Sequence, residues 1–223
     1  MTLTELTEHV RLAVKRQVAA LSDELIYDYI NWAIEDLALA RDWNEMMEEH
    51  SGTLVASTSR HSFPTRLKNI YDLRLNSSSG TKLRMIDPRT FDSEYPKPSQ
   101  LGTSSDPWAY ADFGSWFEII PQLGSNTTAY MKCSILPETL DSGSETPSLV
   151  HKDRVIILQA QVHAFIELQE FELAGTLQDL STKAYLLAVE GDKKPKDWSP
   201  YARPYSMSTR ASGESWKNPF VRG

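Results

Sequence analysis

Apolar residues recur at spacings of three and four along the segment that begins at Ser22 and ends at Trp43. This stripe consists of Ile26, Ile30, Ala33, Ile34 and Leu37. The spacing places them on one face of a helix, and Ser22, followed by two acidic residues, is suited to cap its N-terminus. A helix with one apolar face needs packing partners, and similar patterns recur between Val150 and Val189. We therefore expect the two ends of the chain to pack together, which makes the residues between them an insertion.

Three further helices are predicted from the same kind of pattern. The first runs from about Thr4 to Ala20, with a capping box at its start and a stripe formed by Leu3, Leu6, Val10, Val14 and Val18. Two more lie between residues 149 and 190, with a turn near Gly175 and Gly191 ending the last one. Their stripes are formed by Val155, Leu158, Val162, Phe165 and Ile166, and by Leu177, Leu180, Ala184, Leu187 and Ala188. These patterns predict a bundle of about four helices.

The middle of the chain has the alternating pattern and the turn residues that are typical of strands. Two strands are predicted around a polar turn at residues 57–59, and residues 82–86 are predicted to return antiparallel to residues 70–75. A hairpin follows over residues 108–120, then one strand over residues 127–136. The sequence therefore predicts an α+β protein with about six antiparallel strands in an inserted region. We divide the chain into bundle helices over residues 1–50 and 149–190, the β region over 51–148 and a tail over 191–223.

The tail has a composition of its own. Prolines at four positions alternate there with Trp198, Tyr201, Tyr205, Trp216 and Phe220. Prolines at this density exclude a long helix and favour an extended chain. The tail carries seven basic and three acidic residues, so its net charge is +4 and the remainder of the chain, which as a whole carries -7, has -11. An extended, cationic segment with aromatic anchors is expected to order on a partner.

The composition excludes several classes of function. The net charge of -7 and the pI of about 5.3 argue against broad binding to duplex DNA. The single cysteine, Cys133, cannot form an intrachain disulfide, which favours a reducing compartment. No apolar run approaches the roughly 20 residues of a membrane span. We therefore expect neither a membrane as a partner nor broad binding to duplex DNA.

No catalytic or cofactor motif is present in the sequence. His163 and Glu167 have a spacing compatible with a metal, but a hydrogen-bonded or exposed histidine is the simpler interpretation. Cys133 falls on the apolar face of a predicted strand and is expected to be a buried, inert thiol. The carboxylates of Glu35, Asp36 and Asp42 are expected on a solvated helix face. The sequence thus predicts a protein that is not an enzyme and has no cofactor or metal.

The aromatic residues of the predicted hairpin allow three interpretations. Trp108, Tyr110, Trp116 and Phe117 could fill the core of a small sheet, contact the next protein subunit, or form a platform that stacks a ligand such as a carbohydrate. Trp32 and Trp43 are expected to be packing residues at the margin of the helix stripe. A carbohydrate-binding module that uses this hairpin is therefore an alternative to a structural protein.

The order of these segments resembles that of the head–tail adaptor proteins of tailed bacteriophages, also called connector or head-completion proteins. This group includes the tail tubular A-type gatekeepers of short-tailed phages. The residues that carry the resemblance are an N-terminal T-L-T-E-L, Ile30-Asn31-x-Ala33 leading to Asp42-Trp43, Thr53-Leu54-Val55-Ala56 with Phe63-Pro64, Ile70-Tyr71-Asp72-Leu73-Arg74-Leu75, Trp116-Phe117-Glu118-Ile119-Ile120-Pro121 and Leu136-Pro137. The resemblance extends from about Thr2 to Glu190 and includes the closing helical hairpin.

The resemblance implies a structural virion protein, located at the head–tail interface and made in the host cytoplasm. Such adaptors form a ring, here expected to be a dodecamer, that docks beneath the portal and provides a platform for tail or nozzle proteins. The ring extends the channel through which genomic DNA passes without sequence-specific binding. The C-terminal tail of such proteins commonly reaches along the portal. The residues expected to dock it are Lys193, Lys194, Lys196, Trp198, Tyr201, Arg203, Tyr205, Arg210, Trp216 and Phe220.

Overall fold

The chain is a mixed α+β protein, as the sequence predicts. A computed structural model describes residues 1–14, 21–76, 80–95 and 101–192, which contain five α-helices and nine strands. The helices are α1 (Leu3–Ala13), α2 (Asp23–Ala40), α3 (Pro88–Glu94), α4 (Asp153–Glu167) and α5 (Phe171–Asp192). The strands are β1 (Met47–Leu54), β2 (Arg60–Ser62), β3 (Leu67–Leu75), β4 (Arg84–Ile86), β5 (Thr103–Ser104), β6 (Ala109–Asp112), β7 (Trp116–Ile120), β8 (Gln122–Leu123) and β9 (Thr127–Ile135).

Local caps define the starts of the first two helices. Thr2 and Glu5 form the predicted capping box of α1, and the side chain of Ser22 accepts a hydrogen bond from the backbone N–H of Leu25 at the start of α2. The predicted extension of the first helix to Ala20 reaches residues outside those that the structure describes. The second helix ends at Ala40, three residues earlier than predicted. The Trp43 indole N–H donates to the Leu37 carbonyl at 2.8 Å, so it satisfies one of the last helical carbonyls after the chain has turned extended.

Helices from both ends of the chain share one hydrophobic core. Residues of α1, α2, α4 and α5 contribute to the same cluster of buried side chains. Helix α4 lies at its centre, because α1, α2 and α5 all pack against it and its buried residues lie on several faces. Helix α5 is peripheral, since only Ala174, Ser181 and Ala184 of its 22 residues are buried. Leu180 and Leu187, predicted to lie in its buried stripe, are exposed instead.

The strands pair differently from the prediction. The described strands form a three-stranded sheet in the order β1-β9-β3, a four-stranded sheet in the order β2-β7-β6-β4 and the pair β5-β8. The two strands predicted on either side of the turn at residues 57–59 are present, but they do not pair with each other, because β1 pairs with β9 and β2 with β7. Ser57 has a positive φ of 57° and donates its N–H to the Leu123 carbonyl, so this turn leads the chain from one sheet to the other. Strand β1 also begins at Met47, within the residues 1–50 that the sequence analysis assigned to the bundle helices.

The segment after β3 is a second correction. Residues 82–86 do not return antiparallel along β3, because Arg84–Ile86 pairs parallel with β6 and only Lys82 bridges to Arg74. The pair β5-β8 is also parallel, so the β region is not purely antiparallel. The β6–β7 hairpin and strand β9 are confirmed. The face of β9 that was predicted to be apolar is buried, with Cys133 fully enclosed in a second core between the sheets.

Candidate assembly surfaces

The predicted docking residues of the tail, from Lys193 to Phe220, lie outside the residues that the structure describes. The structure does describe the residue from which the tail leaves, Asp192, at the end of α5. The Arg41 guanidinium lies 2.9 Å from the Asp192 carboxylate, whose side chain is 3% exposed. The Asn44 side chain donates to the backbone carbonyl of Asp192 at 2.9 Å. These contacts fix the base of the tail against the connection between α2 and β1.

Trp43 organises the packing beneath this base. Its ring is fully buried and meets Tyr185 of α5 edge to face at 5.9 Å. The Arg41 guanidinium carbon lies 5.4 Å and the Lys152 ammonium 4.8 Å from the ring centroid. A cation over an indole face contributes about 0.5–2 kcal/mol, more when it is desolvated. Trp43 is therefore a central packing residue, whereas Trp32 is about half exposed.

The cation next to Trp43 is itself buried and paired. The Lys152 side chain is 6% exposed, donates to Glu45 at 2.7 Å and also bonds to the Val150 carbonyl at 3.1 Å. A buried charge is tolerated only when it is paired and hydrogen-bonded. The sequence pattern gave no sign of this pair, because 107 residues separate its members. It ties the start of α4 to the short turn that precedes β1.

A groove of about 830 Å³ opens beside the base of the tail. Its apolar wall includes Val150, Leu187 and Ala188, and its charged residues include Glu45, Arg154 and Asp192. Val150 is 47% and Leu187 62% exposed in the free chain. The groove is therefore an open apolar surface at the point where the tail begins.

Helix α5 also presents a row of leucines to solvent. Leu173, Leu180 and Leu187 follow one another at intervals of seven residues, and their exposed fractions are 50%, 41% and 62%. Residues seven apart lie on nearly the same face of a helix. We call these three residues the α5 leucine row. A row of this length on a peripheral helix is a candidate contact surface.

The aromatic residues of the β6–β7 hairpin divide into two pairs. Tyr110 and Phe117 are buried in the β core, where Phe117 stacks on Phe63 at 4.8 Å, so the core interpretation applies to them and they are not surface contacts. Burial and the nearby carboxylates Asp112 and Asp72 raise the pKa of Tyr110 to about 12.

The two tryptophans of the hairpin lie at or near the surface. Trp108 is 44% exposed. Trp116 is partly buried and stacks on Phe113 at 4.1 Å, with the Arg60 guanidinium 4.3 Å from its ring centroid. The hairpin therefore presents two tryptophans at or near the surface, and the two surface interpretations stay open for these two residues only.

Asp42 joins the helical core to the three-stranded sheet. Its carboxylate accepts hydrogen bonds from Tyr71, from the Asn69 amide at 2.9 Å and from the Ser134 hydroxyl at 3.2 Å. The Lys68 ammonium lies 2.9 Å from it and also bonds to the carbonyl of Ala38 in α2. Partial burial by itself would raise the pKa of Asp42, but these hydrogen bonds and the lysine outweigh it and lower the pKa to about 2.

The network corrects one sequence interpretation. Glu35 and Asp36 are exposed on α2 as expected, but Asp42 lies beyond the end of that helix and is a structural carboxylate. Its partners on β3 come 27 and 29 residues later in the chain, which no helical spacing reveals.

The remaining candidate groups behave as structural residues. Cys133 is buried, and burial together with the neighbouring Glu48 raises the pKa of its thiol. His163 lies 3.3 Å from Asp36 and beside Trp32, not in a cluster of ligands. Among the described residues, no group of three or more histidine, cysteine or acidic side chains is arranged to hold a metal ion. None of the α-helices in these described residues has both the length and the hydrophobicity that a membrane span requires.

Residues 1–197 match the model of a known protein family. The matching family model is that of the SU10 adaptor protein, and it covers all the helices and strands described above. The chain belongs to the SU10 adaptor protein family. A search of curated proteins finds no match.

Membership of the SU10 adaptor protein family confirms the prediction of a phage head–tail adaptor. The protein is a structural adaptor and a virion component that associates with portal and tail components of the phage. The narrower resemblance to tail tubular A-type gatekeepers stays a prediction. The family match ends at residue 197, so most of the tail lies beyond it.

Proposed function

We propose that this SU10-family adaptor forms a ring beneath the portal, extends the DNA channel and provides the platform on which the tail or nozzle assembles. The expected copy number is twelve. The observation that carries the proposal is the family match over residues 1–197. In this proposal the helices of the two chain ends form a four-helix bundle, residues 51–148 form an inserted domain and residues 191–223 form a docking tail.

The α5 leucine row supports self-association. Exposed apolar rows of this kind on a soluble protein mark contact surfaces, and a ring needs a surface on each subunit that meets a different surface on the next. Leu173 and Leu180 lie on a helix that buries only three residues in its own chain. We assign the part of this row formed by Leu173 and Leu180 to the contact between neighbouring copies.

The base of the tail supports portal docking. Arg41 and Asn44 hold Asp192, so the cationic and aromatic residues from Lys193 to Phe220 start from a fixed point. The tail carries positive charge while the rest of the chain is acidic. An acidic body also suits a DNA conduit, because repulsion keeps DNA from adhering to the wall.

The surface of the hairpin is assigned to the tail or nozzle protein, or to a neighbouring copy. Trp108 and Trp116 are its candidate contacts, because Tyr110 and Phe117 lie in the core. None of the observed contacts favours carbohydrate over protein as the partner of these two rings. The proposed contact with the tail or nozzle protein, or with a neighbouring copy, therefore rests on Trp108 and Trp116 alone.

Truncation after Asp192 tests the role of the tail. The truncated chain keeps the five helices and nine strands that the structure describes, so it is expected to fold and to show the circular dichroism of a mixed α+β protein. It is expected to lose at least about tenfold in affinity for the portal of the same phage, equivalent to about 1.4 kcal/mol, measured by biolayer interferometry.

A matched control keeps the length of the tail. Lys193, Lys194 and Lys196 are replaced by glutamine in the full chain, which retains the aromatic anchors and removes three charges. We expect an intermediate affinity that depends less on salt than that of the wild type. If the truncated chain docks as tightly as the full chain, the tail has no part in docking.

A further inference from the structure

The groove beside Asp192 is apolar and uncovered among the described residues. Val150 and Leu187, which line it, expose about half or more of their surface, and Ala188 also lines the groove. Its volume of about 830 Å³ falls in the range of sites that enclose a small ligand, roughly 300–1,000 Å³. A groove of this size next to the start of an aromatic segment needs an occupant of apolar character.

The position at which the tail begins identifies the nearest candidate. Asp192 is itself part of the groove and is fixed by Arg41 and Asn44. The first aromatic residue after it is Trp198, six positions along the chain. Six residues span at most about 20 Å when extended, which is enough to reach back across the groove. A short tether of this kind gives an effective concentration in the millimolar range.

Competing aromatic residues of the tail are less favoured. Trp216 is 24 residues from Asp192, four times farther than Trp198. Loop closure scales with the three-halves power of length, so its effective concentration is roughly eightfold lower. Tyr201 is closer than Trp216 but offers a smaller apolar ring.

The chemistry of the groove suits an indole. Val150 and Leu187 provide apolar contact in the groove. Arg154 lines the groove, is exposed and has no ion pair with any residue in the described ranges, so its guanidinium is available to a ring. A tryptophan face is the preferred aromatic partner of an arginine.

We propose that the indole of Trp198 occupies the groove between the end of α5 and residues 150–155 of the same chain. This anchors the base of the tail and directs the residues after Trp198 away from the body. The inference deepens the proposed function, because it separates an anchoring aromatic residue from those that remain free to meet the portal. The inference concerns the free protomer, so it can be tested without the portal.

Disulfide trapping tests the proposal. Cys133 is replaced by alanine, and cysteines are placed at Ala188 on the groove wall and at Ser199 next to Trp198. In dilute protein under mild oxidation we expect an intrachain disulfide between these two positions, detected by mass spectrometry. Adding Trp198→Ala is expected to slow its formation at least about fivefold, because the indole no longer holds the tail in place.

Trp216→Ala in the same background is the matched control and is expected to leave the rate unchanged. Circular dichroism and the melting temperature show whether each variant remains folded. Equal rates with and without Trp198 would overturn the proposal. Predominant disulfide-linked dimers would also overturn it, since they would place the tail on another copy. Because no portal is present, failure here leaves the docking test of the truncated chain unaffected.

Discussion

At the scale of single residues, Asp42 connects the helices to the three-stranded sheet. Its carboxylate accepts hydrogen bonds from two residues of β3 and one of β9, and pairs with Lys68, which in turn holds the last turn of α2. Hydrogen bonds to a charged group contribute about 1.5–3 kcal/mol each, roughly twice as much as neutral ones. The orientation of the two cores therefore depends strongly on one carboxylate.

Replacement of Asp42 by asparagine keeps the size of the side chain and removes its charge. Lys68 then loses its counter-charge. The amide NH₂ group, which is itself a donor, faces the donors whose hydrogen bonds the carboxylate accepted. We expect the free energy of unfolding at pH 7 to fall by about 2 kcal/mol, measured by urea denaturation. Glu35→Gln, at an exposed position of α2, is the control and is expected to change it by less than about 0.5 kcal/mol. Equal stability of the two variants would show that Asp42 does not stabilise the connection between the helices and the sheet.

The same carboxylate gives a dependence on pH. Its pKa is about 2 in the folded chain, against about 3.9 for an unfolded aspartate. Because the unfolded chain binds the proton more readily, the stabilisation is complete above about pH 4 and is lost as the pH falls towards 2. The difference in urea midpoint between the wild type and Asp42→Asn is therefore expected to be constant near neutral pH and to shrink below about pH 4. A difference that persists unchanged at pH 2 would contradict the assigned pKa.

At the scale of elements, the sequence predicts the features that depend on neighbouring residues, but it does not predict which distant strands pair. The capping box of α1 and the Ser22 cap of α2 depend on residues within one turn, so the sequence predicts them correctly. The β6–β7 hairpin is likewise local, with three residues in its turn. Strand β1 pairs with β9 about 80 residues away, and a polar turn beside it is indistinguishable in sequence from the turn of a hairpin.

Helix α5 shows the limit of periodicity. Its leucines at positions 177, 180 and 187 repeat as a buried stripe would, yet only the first of them is partly buried against the core. Periodicity shows that a face needs a partner but not whether the partner lies in the same chain. The ion pairs of Asp192 and Lys152 were unpredictable for a related reason, since each joins residues more than 100 positions apart.

The α5 leucine row permits a test at the level of one helix. Leu173 and Leu180 are replaced together by lysine, while Leu187 is left intact because it belongs to the groove. Both side chains are exposed, so the fold is expected to survive with a small loss of stability. Ring formation on the portal is expected to fall at least about tenfold, measured as the amount of assembled complex in sedimentation velocity. The physical reason is that two charges would have to be desolvated at the contact between copies.

Leu186 provides the control on the same helix. It is 56% exposed, similar to Leu173, but lies about 120° around the helix from Leu180. Leu186→Lys is expected to assemble like the wild type. Assembly of the double variant at wild-type levels would exclude the row from the contact. Loss of assembly in Leu186→Lys as well would point to a general effect of added charge.

At the scale of the whole molecule, the chain has two enclosed hydrophobic cores and several exposed apolar surfaces. The helical core and the β core each enclose their large side chains, and Asp42 connects them. Within residues 1–192, as far as the structure describes them, the outer face of α5, the groove beside Asp192 and the two hairpin tryptophans are not covered by the body of the chain. A protein that worked alone would cover such surfaces, whereas an adaptor needs contacts for neighbouring copies, a portal and a tail.

Native mass spectrometry of the chain mixed with the portal of the same phage tests the central claim most directly. We predict one dominant complex in which the number of adaptor copies equals the symmetry of the portal ring, twelve for a dodecameric portal. Such a result would identify the chain as the layer that continues the channel. A well-folded chain that forms no complex, or a complex with one or two copies per portal, would contradict the ring.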